Sequence, residues 1–506
     1  MSRLSLTAAN WSLFGWIGAA LLAGLLLAWL PTTTAAWLLL ITLCLLLTLR
    51  RPLFGLGVTL LVAPFAALER VAGTGLPLDS GQLFLFFTLA VWLAQGLARR
   101  DIRLRFSPLV PPLLIFVVVA ALSLPGAMSP SLGLRELLKW GEMVLLIWLV
   151  LDLAAAKPGT QLNGTEQRFS FAYLLVSMLL IAALLQALIG IWQFGLRGHG
   201  PEHFEILGRF YRAYGTFEQP NPFGGYMAIN AALILGILYG LLAHALRKPA
   251  VANADWRSAA GRLWSFLLRP SSFILLFTAV ATSLAVLLSW SRGAWLGFGA
   301  ALVTLLFFAP RKRWQGALLV GLALAGGLLA WQFNLLPAAV SGRLAGFQDD
   351  FRLGDVRGVP IHDANYAVLE RLAHWQAAVR MAEANPWLGV GFGNYEAAYA
   401  DYALINWPYA LGHAHNYYLN LLAEVGIAGL IAYLFLWTVI VWQTIRLLNR
   451  TPWPVRGIPL GLLAAWAALS VHHLVDKLYV NNIYIHLGVM LALLSLTAVH
   501  EDKGIS

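Results

Sequence analysis

Two imidazoles and an amide stand together at Gly412-His413-Ala414-His415-Asn416, where a polar stretch gives way to an apolar one. Gly426-Ile427-Ala428-Gly429 follows about two and a half helical turns later. Imidazole titrates near neutral pH, so His415 or His413 could take a proton from a hydroxyl. Arg209 and Arg212 lie in GRFYRAYGTFEQPNPFGGY, and Arg292 in LSWSRGAWLGF. A guanidinium offers a planar, two-pronged donor set that fits phosphate oxygens, which a lysine does not. Asp476, in HHLVDKLYVNN, could orient a histidine or accept from a sugar hydroxyl.

Each of these residues also has a plainer explanation. Arg292 could be a snorkelling side chain that marks a membrane boundary. Against that, a bare boundary arginine does not need Ser289, Ser291 and Gly293 around it, whereas an anion site does. Arg209 and Arg212 could pair on the surface with Glu202, Glu205 or Glu218, and Asp476 with Lys477. His413 and His415 could be satisfied interfacial side chains. As a metal site the His-x-His pair lacks a third ligand, and His362, His374, His472 and His473 show no ligand spacing. We therefore expect no metal and no other cofactor.

What must position these residues is a membrane-embedded frame. Hydrophobic residues make up 60% of the 506 and charged residues 11%, about half the charge of a soluble domain. Apolar runs long enough to span recur throughout, and lipid admits them only as helices that satisfy their own backbone. The spacing predicts fourteen spans, at about 11–30, 33–49, 53–68, 82–98, 109–125, 137–155, 171–194, 223–246, 271–289, 292–309, 315–333, 416–445, 459–472 and 482–499. The third and thirteenth are short, and without them twelve remain. The first run is read as a span and not as a cleaved signal peptide, since membrane sequence follows it throughout. The single cysteine, Cys44, says nothing about compartment.

With the N-terminus inside, 21 of the 34 basic residues fall in inside segments, whereas of the acids 6 fall inside and 17 outside. The net charge of +11 thus follows membrane orientation, and no nucleic-acid partner is needed to explain it. All the motif islands then lie on the outer side: 195–222, the turn 289–292, the loop 334–415 and 473–481. Residues 271–309 are too long for one span, and a tight turn at Ser289–Gly293 lifts Arg292 to the outer interface. Asn221-Pro222 reads as an N-cap and first helical residue, which would aim a helix N-terminus into the outer space. The loop 334–415 is too long to be a mere connector. Within it, 364–384 reads as an amphipathic helix with Val368, Leu372, Trp375, Val379 and Ala382 on one face and Asn385-Pro386 as its stop. Four segments result: helices over 1–200, helices bearing the arginines over 201–333, the loop over 334–415, and C-terminal helices over 416–506.

In this order the islands resemble the O-antigen ligase and polymerase superfamily of bacterial membrane glycosyltransferases. Arg212, Gly215, Thr216, Phe217 and Pro220–Phe223 match its Arg-x-x-Gly-Thr-Phe and Pro-Asn-Pro-Phe elements, and Ser291-Arg292-Gly293 its Ser-Arg-Gly turn. Arg371, Trp375, Asn385, Pro386, Gly389 and Gly391 match a loop element. His415-Asn416, with Gly426 and Gly429, match the ligase signature. The resemblance covers about 205–430. It implies an all-α polytopic membrane protein of about 12–14 transmembrane helices, GT-C-like, in the bacterial cytoplasmic (inner) membrane with an extracytoplasmic site. Such enzymes move a glycan from undecaprenyl pyrophosphate to an acceptor hydroxyl, inverting and without metal. Carried over by motif, Arg212 and Arg292 hold the pyrophosphate and His415 activates the acceptor hydroxyl. Arg209, His413, Asn221, Asn416, Arg371 and Asp476 are further candidates to contact substrate. The implied partners are the lipid-linked glycan, a glycan or lipid-core acceptor and membrane lipid. A polymerase of lipid-linked repeat units is the alternative, and teichoic or protein acceptors stand further off. A lipid-linked-glycan transporter would need ionisable residues or broken helices near mid-bilayer, whereas most spans here are uncharged through their centres.

Overall fold

The computed structural model describes Gly24 and residues 30–71, 73, 78–102, 104–155, 164–247, 256–345, 355–362 and 365–498. The first expected span, 11–30, and the loop centre at 346–354 lie outside the described residues. The helices are α1 (Thr32–Arg50), α2 (Pro52–Val62), α3 (Ala66–Val71), α4 (Ser80–Ala98), α5 (Val110–Leu122), α6 (Pro130–Leu153) and α7 (Gly164–Ile191). A short hairpin, β1 (Glu205–Ile206) with β2 (Phe210–Tyr211), precedes α8 (Pro220–Arg247), α9 (Trp256–Leu267), α10 (Pro270–Leu288), α11 (Arg292–Phe308) and α12 (Arg313–Gln332). The loop region holds α13 (Ala338–Ala345), α14 (Tyr366–Ala384) and α15 (Tyr395–Tyr402), and α16 (Tyr417–Arg450), α17 (Gly457–His472) and α18 (Ile483–Ala498) complete the chain.

This is an all-α polytopic membrane protein. Eight described helices are long and apolar enough to cross a membrane, and four shorter apolar helices, Val110–Gly126, Arg292–Phe308, Gly457–His472 and Ile483–Ala498, fall at other expected spans. At 16–17 residues, α11, α17 and α18 each rise only about 25 Å. Helix α6 has the length but carries Arg135, Glu136, Lys139, Glu142 and Asp152.

Two compact units share the chain: Met1–Thr59 with Phe84–Asp101, and Leu60–Leu83 with Ile102–Ser506. In the first, a Cβ on Gly55 would lie 2.4 Å from both Thr48 and Thr88, so α1, α2 and α4 meet at a residue without a side chain. The outer faces of α1 are apolar and exposed, as at Trp37 and Leu39, which suits lipid contact.

The second unit holds every candidate site residue. Its centre is α8 against α17. Gly236 and Gly240 on α8 face Gly461 and Gly457 on α17, where added Cβ atoms would lie 2.3 and 2.7 Å from the opposing Cα atoms. Lipid gives little hydrophobic drive for association, so close backbone packing through small residues supplies it instead. Gly293 and Gly297 of α11 lie equally close to Val475 and Ala468. The starts of α8 and α11 and the end of α17 are thereby fixed relative to one another.

Three local expectations need correction. Helix α8 starts at Pro220, so Asn221 sits inside its first turn and is no N-cap; Pro220 already has the φ that a first helical residue needs. Helix α14 runs over Tyr366–Ala384 and is buried on a wider face than the expected stripe, which takes in Leu369, Ala373, His374, Ala377 and Met381. Val379 is exposed, because α16 and α15 cover the helix from the other side.

Candidate active site

The expected turn between α10 and α11 is present. Ser291 caps α11, its Oγ accepting from the Ala294 N–H at 3.4 Å, and Arg292 is the first helical residue. Arg292 Nε donates to the Arg343 carbonyl at 2.8 Å, and Arg343 Nη2 donates to the Trp290 carbonyl at 3.2 Å. Helix α13 is therefore laced to the turn by two arginines. Arg212 leaves the hairpin with its own N–H on the Phe204 carbonyl, donates from Nε to the Ser289 carbonyl at 3.1 Å and from Nη2 to Asn221 Oδ1 at 3.3 Å. Behind it, Gln193 Oε1 accepts from the Tyr214 and Gly215 N–H groups, with Gly215 at φ +56°.

These contacts shape a cavity of about 320 Å³ lined by Arg212, Arg292, Arg343 and Arg371, with Asn221, Trp375, His472 and a single carboxylate, Asp476. Burial, then the guanidinium charges of Arg343, Arg371 and Arg292, pull Arg212 down to about 9. Burial, then Arg292 and Arg371, pull Arg343 down to about 10. Four like charges are thus crowded into one partly desolvated space, an arrangement an anion would relieve.

The histidines stand behind one wall of this cavity. The Tyr417 N–H donates to the His473 carbonyl at 2.8 Å, which ties the start of α16 to the end of α17 and brings the histidine loop to Asp476. His413 Nδ1 accepts from the His415 N–H at 3.0 Å, so its proton is on Nε2, which faces Asp476 Oδ1 at 3.4 Å. His415 is held at φ +52°, a conformation unusual for a residue with a Cβ. Its ring packs against His413 at 4.5 Å and His374 at 5.5 Å between centroids. Both ring nitrogens of His415 are buried without a hydrogen-bond partner. Buried polar atoms are nearly always paired, so an exception needs a reason; His472 shares this feature with both of its ring nitrogens. Burial above all, then His413, lowers His415 well below the ordinary histidine range. Burial, then Lys477, pushes His413 down to about 3. Both rings are neutral at pH 7, the form a general base requires.

The two glycine motifs of the sequence turn out to be halves of one junction. At Gly426 α16 is broken by φ +62°, ψ −164°. The break releases the carbonyls of Ala423 and Glu424, which accept from the Val390 and Gly391 N–H groups at 2.9 Å each. The released N–H groups of Ile427 and Ala428 donate to the carbonyls of Pro386 and Trp387. A Cβ on Gly426 would lie 2.3 Å from Trp387, and one on Gly389 2.4 Å from Ala423. This clamp fixes the loop after α14, which carries Arg371 and Trp375, to the helix that begins beside His415.

Of the residues expected from sequence, Arg212, Arg292, Asn221, Arg371 and Asp476 line the cavity, and His413 and His415 adjoin Asp476. Arg209 does not join them; it is exposed and stacks on Phe210 at 5.4 Å. Asn416 caps α16, its Oδ1 accepting from the Tyr418 and Leu419 N–H groups. Sequence reasoning missed Arg343, which no local signal separates from Arg352, Arg357 or Arg380 in the same loop. It also gave His472 no role, since a histidine at a helix end declares its neighbours only in three dimensions. His413, His415 and Asp476 offer ligand atoms within 4.8 Å of one another, so these three could hold a metal ion. His413 already uses both ring nitrogens, however, and Arg371 and Lys477 bring positive charge to the same place.

Helices, junction and cavity together define a polytopic membrane protein in which four arginines line one cavity. Residues 277–434 match the family model described as O-antigen ligase, and that match supports the resemblance to the O-antigen ligase and polymerase superfamily. The matched stretch takes in Arg292, Arg343, Arg371 and His415, while Arg212, Asn221 and Asp476 lie outside it. Comparison with curated proteins gave no match.

Proposed function

We propose that the protein transfers a glycan from undecaprenyl pyrophosphate to an acceptor hydroxyl at the outer face of the bacterial cytoplasmic membrane, acting as a ligase. The observation that carries this reading is the cavity in which four guanidiniums face one carboxylate. A diphosphate is the leaving group such a cavity suits. In the reaction the acceptor O–H gives its proton to a ring nitrogen of His415, and its oxygen forms the new bond at the anomeric carbon. The bond from that carbon to the phosphate oxygen breaks in the same displacement, inverting the centre. Undecaprenyl pyrophosphate leaves with the electron pair, and Arg212, Arg292, Arg343 and Arg371 stabilise the charge that develops on it. This is the work a divalent cation does elsewhere, so the reaction is read as metal-independent. His413 and Asp476 act as positioning residues: the His413 ring accepts from the His415 N–H, and Asp476 holds that ring from its other nitrogen.

Purified protein in lipid nanodiscs, with a photoreactive undecaprenyl pyrophosphate, tests the assignment. We expect crosslinking that inorganic pyrophosphate competes away and that Arg292→Lys and Arg212→Lys weaken by about tenfold or more. Wild-type crosslinking in both variants would reduce these arginines to markers of the membrane boundary.

A further inference from the structure

A second cavity, of about 320 Å³, lies at the far end of the helices that hold the arginine cavity. Asn221 lines the arginine cavity from the first turn of α8, and His244 lines this one from the last. The helix rises about 35 Å between them, enough to cross a bilayer core. Helix α10 likewise starts at Pro270 beside this cavity and ends at Leu288 beside the Arg292 turn. The two cavities therefore belong to opposite membrane faces. The residues of this one, within 241–272, also lie outside the stretch 277–434 that matches the family model.

The sequence builds the cavity at one corner. A residue before proline is driven to extended backbone, so Arg269 sits at φ −72°, ψ 131°, and α9 and α10 part there. Phe273 makes the first helical hydrogen bond of α10, to the Arg269 carbonyl at 3.0 Å. The Ser271 and Ser272 N–H groups are left without a helical partner, and no side chain caps them. Ser272 is only 5% exposed and lines the cavity, and its hydroxyl has no hydrogen-bond partner among the described residues. Arg262 and Arg269 add two guanidiniums and His244 an imidazole, and no carboxylate lines the cavity among the described residues. Amide, hydroxyl and guanidinium donors gathered without a counter-charge suit a phosphate group. The surroundings indicate its source. Phe273, Ile274, Phe277, Val280 and Leu284 run exposed down α10 from the edge of the cavity, and Leu263 and Trp264 are exposed on α9 beside Arg262. Such faces meet acyl chains, and a short helix of this make suits the membrane surface. A phospholipid uses both features: its phosphate enters the cavity and its chains follow α10. A zwitterionic headgroup would bring an ammonium that finds no carboxylate here, whereas phosphatidylglycerol brings only negative charge and hydroxyls.

We propose that this cavity binds the phosphate of an anionic phospholipid, in the leaflet opposite the arginine cavity. The test uses the full-length protein in phosphatidylcholine nanodiscs that carry a trace of phosphatidylglycerol with a photoreactive group close to its glycerol. Crosslinks should concentrate on peptides from 241–280 and should be displaced by unlabelled phosphatidylglycerol. They should fall about fivefold in Arg262→Gln and in Arg269→Gln, and further in the double variant. Ser272→Val, which removes the buried hydroxyl, should lower them too. The melting temperature of each variant in pure phosphatidylcholine checks its fold. Should the glutamine variants be unstable, Arg269→Lys keeps the charge but loses the two-pronged donor set, and a fall of about twofold is expected. Crosslinks spread evenly over all the lipid-facing helices, or unchanged in every stable variant, overturn the proposal. Equal displacement by unlabelled phosphatidylcholine overturns the anionic preference. Displacement by inorganic phosphate in preference to phosphatidylglycerol assigns the cavity to a soluble anion and overturns the lipid assignment.

Discussion

His415 sits at φ +52° with two unpartnered buried nitrogens, and each feature is costly alone. If it removes the acceptor proton, His415→Gln keeps a polar group in place but cannot accept the proton, and transfer should fall by about 10²–10⁴-fold with donor crosslinking unchanged. His413→Ala should cost less and should act on turnover, not on donor binding; a dead His413→Ala beside an active His415→Gln would exchange their roles. Acid should also weaken the fold here. His374, held at about 4 by burial, and His413, held at about 3, are both depressed from an ordinary 6.5. As pH falls below 6.5 the unfolded chain takes up protons that the folded one refuses. The stability these groups contribute is complete above that pH and is lost progressively as pH falls toward 4 and then 3. Thermal melts of the purified protein between pH 7 and pH 4 check this, and a flat melting temperature over that range contradicts it.

At the scale of elements, the break in α16 is what joins the loop to the membrane helices. Gly426 is required twice over, by its positive φ and by the Trp387 backbone at 2.3 Å. Gly426→Ala should therefore cost about 1–3 kcal/mol from the backbone conformation alone, and more from the clash. It should lower the melting temperature and both donor crosslinking and transfer together, since Arg371 and the start of α16 depend on the same clamp. Selective loss of transfer at an unchanged melting temperature would show that the break has a catalytic role beyond architecture. Gly389→Ala should behave alike, because it is the opposite jaw.

At the scale of the whole molecule, the distribution of charge predicts an orientation that chemistry can test. In a Cys44→Ala background, cysteines at His203 and Asn481 should react with an impermeant thiol reagent added outside, and a cysteine at Gln315 should not. Labelling of His203 from the cytoplasmic side alone would put the arginine cavity on the wrong face for an extracytoplasmic transferase. Chelation is the second test at this scale. If four guanidiniums supply the positive charge, transfer should survive EDTA; loss with recovery on added Mg²⁺ or Mn²⁺ would move His413, His415 and Asp476 from positioning to metal ligation.

The amino-acid sequence by itself determined the membrane class, because apolar runs of spanning length have no other use, and it predicts the side of each island, because arginine and lysine sort across a bilayer. It also singled out Arg212, Arg292, His415 and Asp476, since ionisable groups beside apolar helices are expensive and so stand out; Arg371 came only through the resemblance of its loop element. Tertiary structure alone decided which of them meet. Arg343 joins the cavity because α13 folds back onto the Trp290 turn, a contact between residues 53 apart that no periodicity encodes. Arg209, three residues from Arg212, is turned outward by the hairpin. Asn221 reads as a helix cap and Asn416 as a substrate contact, yet Asn221 holds an arginine and Asn416 caps its helix. The Asn-Pro-x-x-Gly-x-Gly and Gly-x-x-Gly motifs look independent until the break at Gly426 pairs their backbones. The physical reason is common to all four cases: helix formation depends on near neighbours, whereas a site depends on distant backbones approaching closely enough to exchange hydrogen bonds.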